Sequence, residues 1–518
     1  SQHLTLMGAS PVATTQPAVP ATLAPARTSL SSPPQPSRDA SLVEKPFGAS
    51  PRLTLKAQHD FTPAQQAWLD AFIARCDARF GASKAFAQKH RQRMADPRVV
   101  TGFNPLWKDL VYPLVVERSQ GCHMWDLDGN RFIDLLASFG ANFLGYQPPD
   151  LMEAMVEQLH KGIELGPQHP LSAEVAELIS EFTGMERVAF CNTGSEAVVG
   201  ALRIARTVTG RKTVAIFTNS YHGIVDEVIV RGSKQLRSLP AAPGIPPSAV
   251  EHMLVLDYAS EESLRVLRER AHELAAIMIE PIQNKVPTLQ PREFVQSLRE
   301  ICDSAGCALI FDECVTGFRV APGGAQEFYG VRGDLACYGK IIGGGLPLSA
   351  IAGATRWMDA LDGGHWQYGD DSYPEAGVTY FAGTFVRHPL ALAAARASLL
   401  HIRRAGPDLY RDVNRRTQTL VERLNAGFAA RQAPVKAVHC ASLWRLAWDD
   451  GQKNVSLFYW LARYHGLHLY EQFGHFVTAA MGDEDTDRIA EVFLAVLDEL
   501  MALGFITPRD GAPTRPPG

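Results

Sequence analysis

Read by the spacing of its apolar positions, the chain changes character several times. From residue 62 to about 94, Trp68, Phe72 and Ile73 recur at helical spacing with charges between them, which predicts a helix that Pro97 ends. Residues 112–117 and 124–126 read as short strands around the turn Ser119-Gln120-Gly121. Asp128-Gly129-Asn130 reads as a hairpin turn before a strand over 131–134. From about residue 150 helix and strand alternate. An amphipathic stretch over 171–183 puts Val175, Leu178, Ile179 and Phe182 on one face, and Gly184 stops it. Short apolar runs at 188–190, 214–217, 275–279, 308–311 and 335–338 are separated by helical stretches such as 196–207. Continuous apolar strands between helices predict an α/β fold with a mostly parallel sheet covered on both faces. Residues 390–503 are mainly helical, with a short sheet expected near 442–448 and 476–478. The expected organisation is a linker over 1–52, a helix and small antiparallel unit over 53–149, a large domain over 150–389, a smaller domain over 390–506 and a tail over 507–518.

Composition narrows the function classes. The chain has 518 residues, 46% hydrophobic and 20% charged, enough for a large core and more than one domain. A net charge of −5 argues against a nucleic-acid or anionic-membrane partner. No apolar run is long enough to cross a bilayer, and no basic-then-apolar leader opens the chain. Eight cysteines without CxxC spacing point to a reduced, cytoplasmic protein, and sixteen histidines without an HExxH pattern predict no metal. The Pro-, Ala- and Ser-rich ends, and a start at Ser1, read as cuts in a longer polypeptide.

Parallel α/β sheets place ligands at the carboxyl ends of their strands, so the residues that follow each apolar run matter most. After 188–190 comes Cys191-Asn192-Thr193-Gly194-Ser195-Glu196, a polar turn into a helix, which suits a phosphate or simply caps the helix. After 214–217 comes Tyr221-His222-Gly223, whose ring can stack on a planar ligand or merely pack. Glu280-Pro281 and Asn284 follow the next run, and Asp312-Glu313 the one after. An acid there is half-buried and needs a cation: a protonated pyridine nitrogen, or Arg319 in a structural ion pair. Lys340 follows 335–338, between a glycine and an apolar pair, with Gly343-Gly344-Gly345 and Pro347 beyond. Such a setting disfavours the ammonium form and makes a free amine available to a carbonyl compound. Ala382-Gly383-Thr384 adds a last small polar turn. Anchor, stacking ring, buried acid and lysine together make the set that pyridoxal phosphate requires.

These residues, with Asn192-Thr193-Gly194-Ser195-Glu196-Ala197, Phe311-Asp312-Glu313-Cys314-Val315-Thr316-Gly317-Phe318-Arg319 and Gly339-Lys340 through Pro347, resemble the class III aminotransferases of pyridoxal-phosphate fold type I. The likeness runs from roughly residue 104 to 505 and is nearest the glutamate-1-semialdehyde aminomutase branch. It implies that Lys340 forms the Schiff base and moves the proton, and that Asp312 keeps the ring nitrogen protonated. It implies that Gly194 and Ser195 bind the phosphate, that Tyr221 stacks, and that His222, Glu280, Asn284, Val315 and Gly383 line the cofactor site. Thr384 would reach the phosphate of a neighbouring subunit, so a homodimer is implied.

Two departures bear on the substrate. The aminomutase holds its substrate carboxylate with an early arginine, and Trp107 stands near that place, with Lys108 beside it. The lead-in Ala95-Asp96-Pro97-Arg98, Gly102-Phe103 and Trp107 through Pro113 resembles aminotransferase domains of polyketide and nonribosomal peptide megasynthases. That implies an amino-acid donor and an acyl carrier protein bearing a keto, commonly β-keto, or aldehyde acceptor. The alternatives are a free-standing transaminase or aminomutase on a small diffusible substrate, and a non-catalytic domain that keeps the fold, which the intact Lys340 and Asp312 disfavour.

Overall fold

The computed structural model describes residues 61–509, apart from 101, 102, 234 and 472. The expected linker over 1–52, Gly102 and most of the tail lie outside the described residues, although Thr507 and Arg509 hydrogen-bond to Gln452 and Asp449.

The first helical stretch is two helices, Pro63–Arg79 and Gly81–His90, not one running to Met94. Thr62 and Gln65 close a capping box at the start. Phe80, buried and non-helical (φ −121°, ψ 27°), breaks the run before Gly81, and Pro97 opens a short 3₁₀ turn instead of ending a helix. Three strands follow, β1 (Val116–Gln120), β2 (His123–Asp126) and β3 (Arg131–Asp134), paired antiparallel in sequence. The first begins four residues later than the sequence suggests.

The next strands are β4 (Arg187–Cys191), β5 (Thr213–Phe217), a small hairpin of β6 (Val230–Gly232) and β7 (Ser238–Pro240), β8 (Met253–Leu256), β9 (Leu274–Ile279), β10 (Ala308–Asp312), β11 (Leu335–Tyr338) and β12 (Ser349–Gly353). Seven of them form one sheet in the order β4-β12-β11-β10-β9-β5-β8. Pairings from β8 through β11 are parallel, and β12 runs against both its neighbours. Because β4 is antiparallel to β12, it points the same way as β11. The carboxyl ends of β4, β5, β9, β10 and β11 therefore share one edge. Every residue of β9 and β10 is buried, as strands covered on both faces must be.

Beyond the sheet, the helix Pro389–Ala430 is kinked at Gly406-Pro407. Its length packs on the helices Pro149–Lys161 and Pro170–Thr183, and also on β13 (Val435–Cys440) and the helix Asp483–Ala502. β13 pairs with β14 (Leu443–Trp448), and β14 with β16 (His475–Phe476). The two-residue β15 (Leu467–His468) joins β3, so the amino-terminal strands and the carboxyl-terminal part build one sheet.

Candidate active site

Asp312 closes β10 and lies opposite Cys337 in β11, two residues short of Gly339 and three short of Lys340. The residue is 4% exposed. Burial opposes its charge, but the hydrogen bond and charge of His222, with Cys314 and Lys340 nearby, outweigh that and hold the carboxyl below its ordinary value. His222 Nδ1 lies 2.7 Å from Asp312 Oδ2, and the Cys314 amide donates to Oδ1 at 3.1 Å. The His222 ring is buried, and its Nε2 has no partner. Arg319 does not pair with Asp312 or Glu313, as one reading of the sequence allowed. It donates to the backbone oxygens of Val315 and Gly140 and to Ser442 Oγ, while Glu313 accepts from Thr316 and from the amides of Ala325 and Gln326.

Lys340 is half-buried and opens a 3₁₀ turn, Lys340–Gly343, with a left-handed backbone (φ 51°). A long side chain held there costs roughly 1–3 kcal/mol, strain that collects at functional sites. Beside that turn lies a second strained segment, Ala137, Ser138 and Phe139, with φ of 45°, 53° and 58°. It is fixed by the Asn142 amide on Ala137 O at 3.0 Å, by Asn142 Nδ2 on Ser138 Oγ at 2.9 Å, and by Arg319 on Gly140 O. Val315 packs with Ala137, Leu443 and Phe476 beneath it. The Phe139 ring meets Phe473 at 5.3 Å between centroids, and the Arg98 guanidinium lies over it at 4.4 Å.

Across the sheet edge, Thr193 caps the helix Gly194–Thr209, with Glu196 completing a capping box. The amides of Gly194 and Ser195 fall in its first turn, where no intrahelical acceptor is available, and the helix dipole favours an anion. Ser195 Oγ accepts from the Ile224 amide at 3.1 Å. Gly223 (φ +97°) passes so close to Ser195 that a Cβ would collide with it, so the Tyr221-His222-Gly223 turn and the helix start are one unit. Tyr221 is 51% exposed, with its amide donating to Glu280 Oε2 at 3.1 Å, and the Asn284 amide donates to Oε1 of the same residue at 2.8 Å. Burial pushes the Glu280 carboxyl up to about 7. Gly383 and Thr384 are exposed, and a Cβ on Gly383 would sit 4.0 Å from Asn192 Nδ2 of the same chain.

A pyridoxal phosphate fits this arrangement. There is an anion-favouring helix start, a buried carboxylate held ionised, and a lysine at the end of the adjacent strand. A Cβ on Gly194 would lie 2.7 Å from Cys314 Sγ, and one on Gly339 2.9 Å from Ser349 Oγ, so a side chain at either place would force Cys314 or Ser349 to shift. The sequence missed the left-handed segment, which has no local signature. No metal was expected from spacing, yet folding brings ligand atoms of Cys122, His123 and Asp485 within 4.8 Å of one another, with Asp485 also capping Gly482.

The class-III aminotransferase profile matches residues 107–443. A glutamate-1-semialdehyde 2,1-aminomutase of Syntrophobacter fumaroxidans is 37% identical over 336 residues, 64% of this chain and 74% of the relative. One from Desulforapulum autotrophicum is 34% identical over 394 residues, 72% of this chain and 89% of its own length. The chain is a class III aminotransferase. Among solved structures, a β-phenylalanine aminotransferase from Variovorax paradoxus superposes with a TM-score of 0.71 at 26% identity, covering 85% of this chain and 99% of that one. A transaminase solved with pyridoxal phosphate bound gives 0.73 at 26% identity, over 82% of this chain and 99% of that one. The enzyme is thus pyridoxal-phosphate dependent, with the fold expected of the family. Among the described residues, no helix is long and apolar enough to cross a membrane.

Proposed function

We propose that this aminotransferase moves an amino group from an amino-acid donor to a keto or aldehyde group on an acyl chain carried by a carrier protein. Bound at the sheet edge, pyridoxal phosphate supplies an electrophilic carbonyl carbon and an electron-withdrawing ring. Lys340 would hold that carbon in the resting enzyme and, once the donor's amine has replaced it there, its freed Nζ would take the proton from the substrate carbon that bears nitrogen. Asp312, kept ionised by His222, holds a proton on the ring nitrogen. The amides of Gly194 and Ser195 receive the phosphate, and Tyr221, steadied through its amide by Glu280, covers the ring. His222, Asn284, Val315 and Gly383 shape the surroundings, and Thr384 completes the phosphate site of a second subunit.

The observation that carries the chemistry is the pairing of a buried, ionised Asp312 with Lys340 at the ends of adjacent strands. Lys340→Ala should abolish both turnover and the visible absorbance of the lysine-bound cofactor. A variant that keeps either would refute the assignment.

The tethered acceptor rests on the early segment. Trp107 is 2% exposed, within the core, and Lys108 faces solvent, so neither stands in for the early arginine of the aminomutases, and the early cation nearest the Lys340 turn is Arg98, which lies over the Phe139 ring. A thioester needs no such cation. The second reading, a small diffusible substrate, draws on the aminomutase names of the curated relatives. Offering a β-ketoacyl carrier protein and the matching free keto acid separates them: strong preference for the carrier-bound form supports tethering, and equal turnover overturns it.

Class III aminotransferases are typically dimers, and the same reading extends to this chain. Tyr368, Tyr373, Val378, Tyr380 and Phe385 are 57–93% exposed in the segment leading to and just past Thr384, a run of large side chains that such a contact would cover.

A further inference from the structure

Two cations converge on the Asn284 loop. Arg445 Nη1 donates to the Asn284 backbone oxygen at 3.3 Å, and Lys285 is the next residue along. Both side chains are half-buried, and burial lowers the pKa of each, with repulsion from Arg445 adding to the effect on Lys285. Among the described residues, neither forms an ion pair. Glu280 is in electrostatic reach of both, but its two oxygens already accept from the amides of Tyr221 and Asn284. Beside them Asn284 Oδ1 is buried without a donor, pressed against Gly474. Half-buried cations whose one nearby carboxylate is already engaged by two amides are costly, and the cost falls when a ligand brings a further anion.

Their position says which ligand. Lys285 is tied through the Asn284 amide to Glu280, and through Glu280 to Tyr221. Phe473, next to Gly474, packs on Phe139, in the strained segment beside Lys340. The pair therefore stands at the margin of the site. A planar carboxylate matches a guanidinium fork with an ammonium alongside.

We infer that Lys285 and Arg445 form the subsite for the carboxylate of the amino-acid donor and so select the donor. This rests on the aminotransferase reading above but not on the tethered acceptor. The test follows the donor half-reaction of the cofactor-loaded full chain, as loss of its visible absorbance, without any acceptor. L-alanine and L-glutamine are compared with their methyl esters in Lys285→Met and Arg445→Met. Lys285→Met alone decides the question where the change inside β14 prevents folding, and Arg98→Met serves as the comparison cation. The expected result is a fall of about 10- to 100-fold in apparent second-order rate constant for the free amino acids. The esters, already slow, and the starting absorbance should be unchanged. Equal losses for acids and esters, no loss, or a selective loss with Arg98→Met instead would overturn the subsite. A wild-type chain that binds the cofactor yet reacts with neither amino acid would count against the proposed amino-acid donor instead, a distinguishable outcome.

Discussion

His222 shows how one side chain sets the character of another. A carboxylate as buried as Asp312 would ordinarily be pushed towards its neutral form, and the 2.7 Å contact with His222 reverses that. Replacing His222 with Phe should lower kcat by about 10- to 100-fold and weaken cofactor retention, because a charged hydrogen bond to a buried group is lost. Steady-state kinetics and equilibrium dialysis with pyridoxal phosphate check this. His475 makes a different case: fully buried, with neither ring nitrogen partnered, it is pushed down to about 3. The unfolded chain binds that proton below about pH 6.5, so the stability it contributes is present above that pH and lost as pH falls towards 3. In denaturant titrations at pH 5 and 8, His475→Phe should remove about 2 kcal/mol of that difference. That Tyr221, Glu280, Asp312 and Lys340 gather at one sheet edge was legible because each follows an apolar run, and a parallel sheet brings such positions together. Lys285 and Arg445 were not, because 160 residues separate them in sequence and no local pattern pairs a loop lysine with a strand arginine.

Among the elements, most strands with bulky apolar residues were readable, but β8, Met253–Leu256, just as apolar and fully buried, was not anticipated. β11 falls where its pattern predicted, and β4, β5, β9 and β10 within a residue or so at either end. β12, Ser349–Gly353, has small residues and little pattern, yet it decides the topology by running against β4 and β11. The contact between the Gly223 turn and the start of the 194–209 helix shows how two loops act as one. Gly223→Ala forces a side chain onto Ser195 at positive φ, and should reduce cofactor affinity at least about 10-fold while leaving the far-ultraviolet circular dichroism intact. The kink in the 389–430 helix is separable from chemistry. Gly406 (φ 62°, ψ −156°) occupies a region open only to glycine, so Gly406→Ala should destabilise by roughly 1–3 kcal/mol in denaturant titrations without altering the visible absorbance.

For the whole molecule, the apolar segment around Thr384 predicts a concentration-dependent dimer. Light scattering should show a dimer for the wild type and a shift towards monomer for a Tyr380→Ser, Phe385→Ser double variant, with cofactor retention falling in parallel if Thr384 serves the neighbouring subunit. The two-residue β15 has a different consequence, one of timing. β3 waits for Leu467–His468, which leave the ribosome more than 300 residues later. Until then the edge of Arg131–Asp134 is unpaired, while the seven-stranded sheet between them already has all its sequence. A copy that stops before residue 467 therefore lacks the partner for that edge and leaves it free to pair with a neighbour on the same polysome.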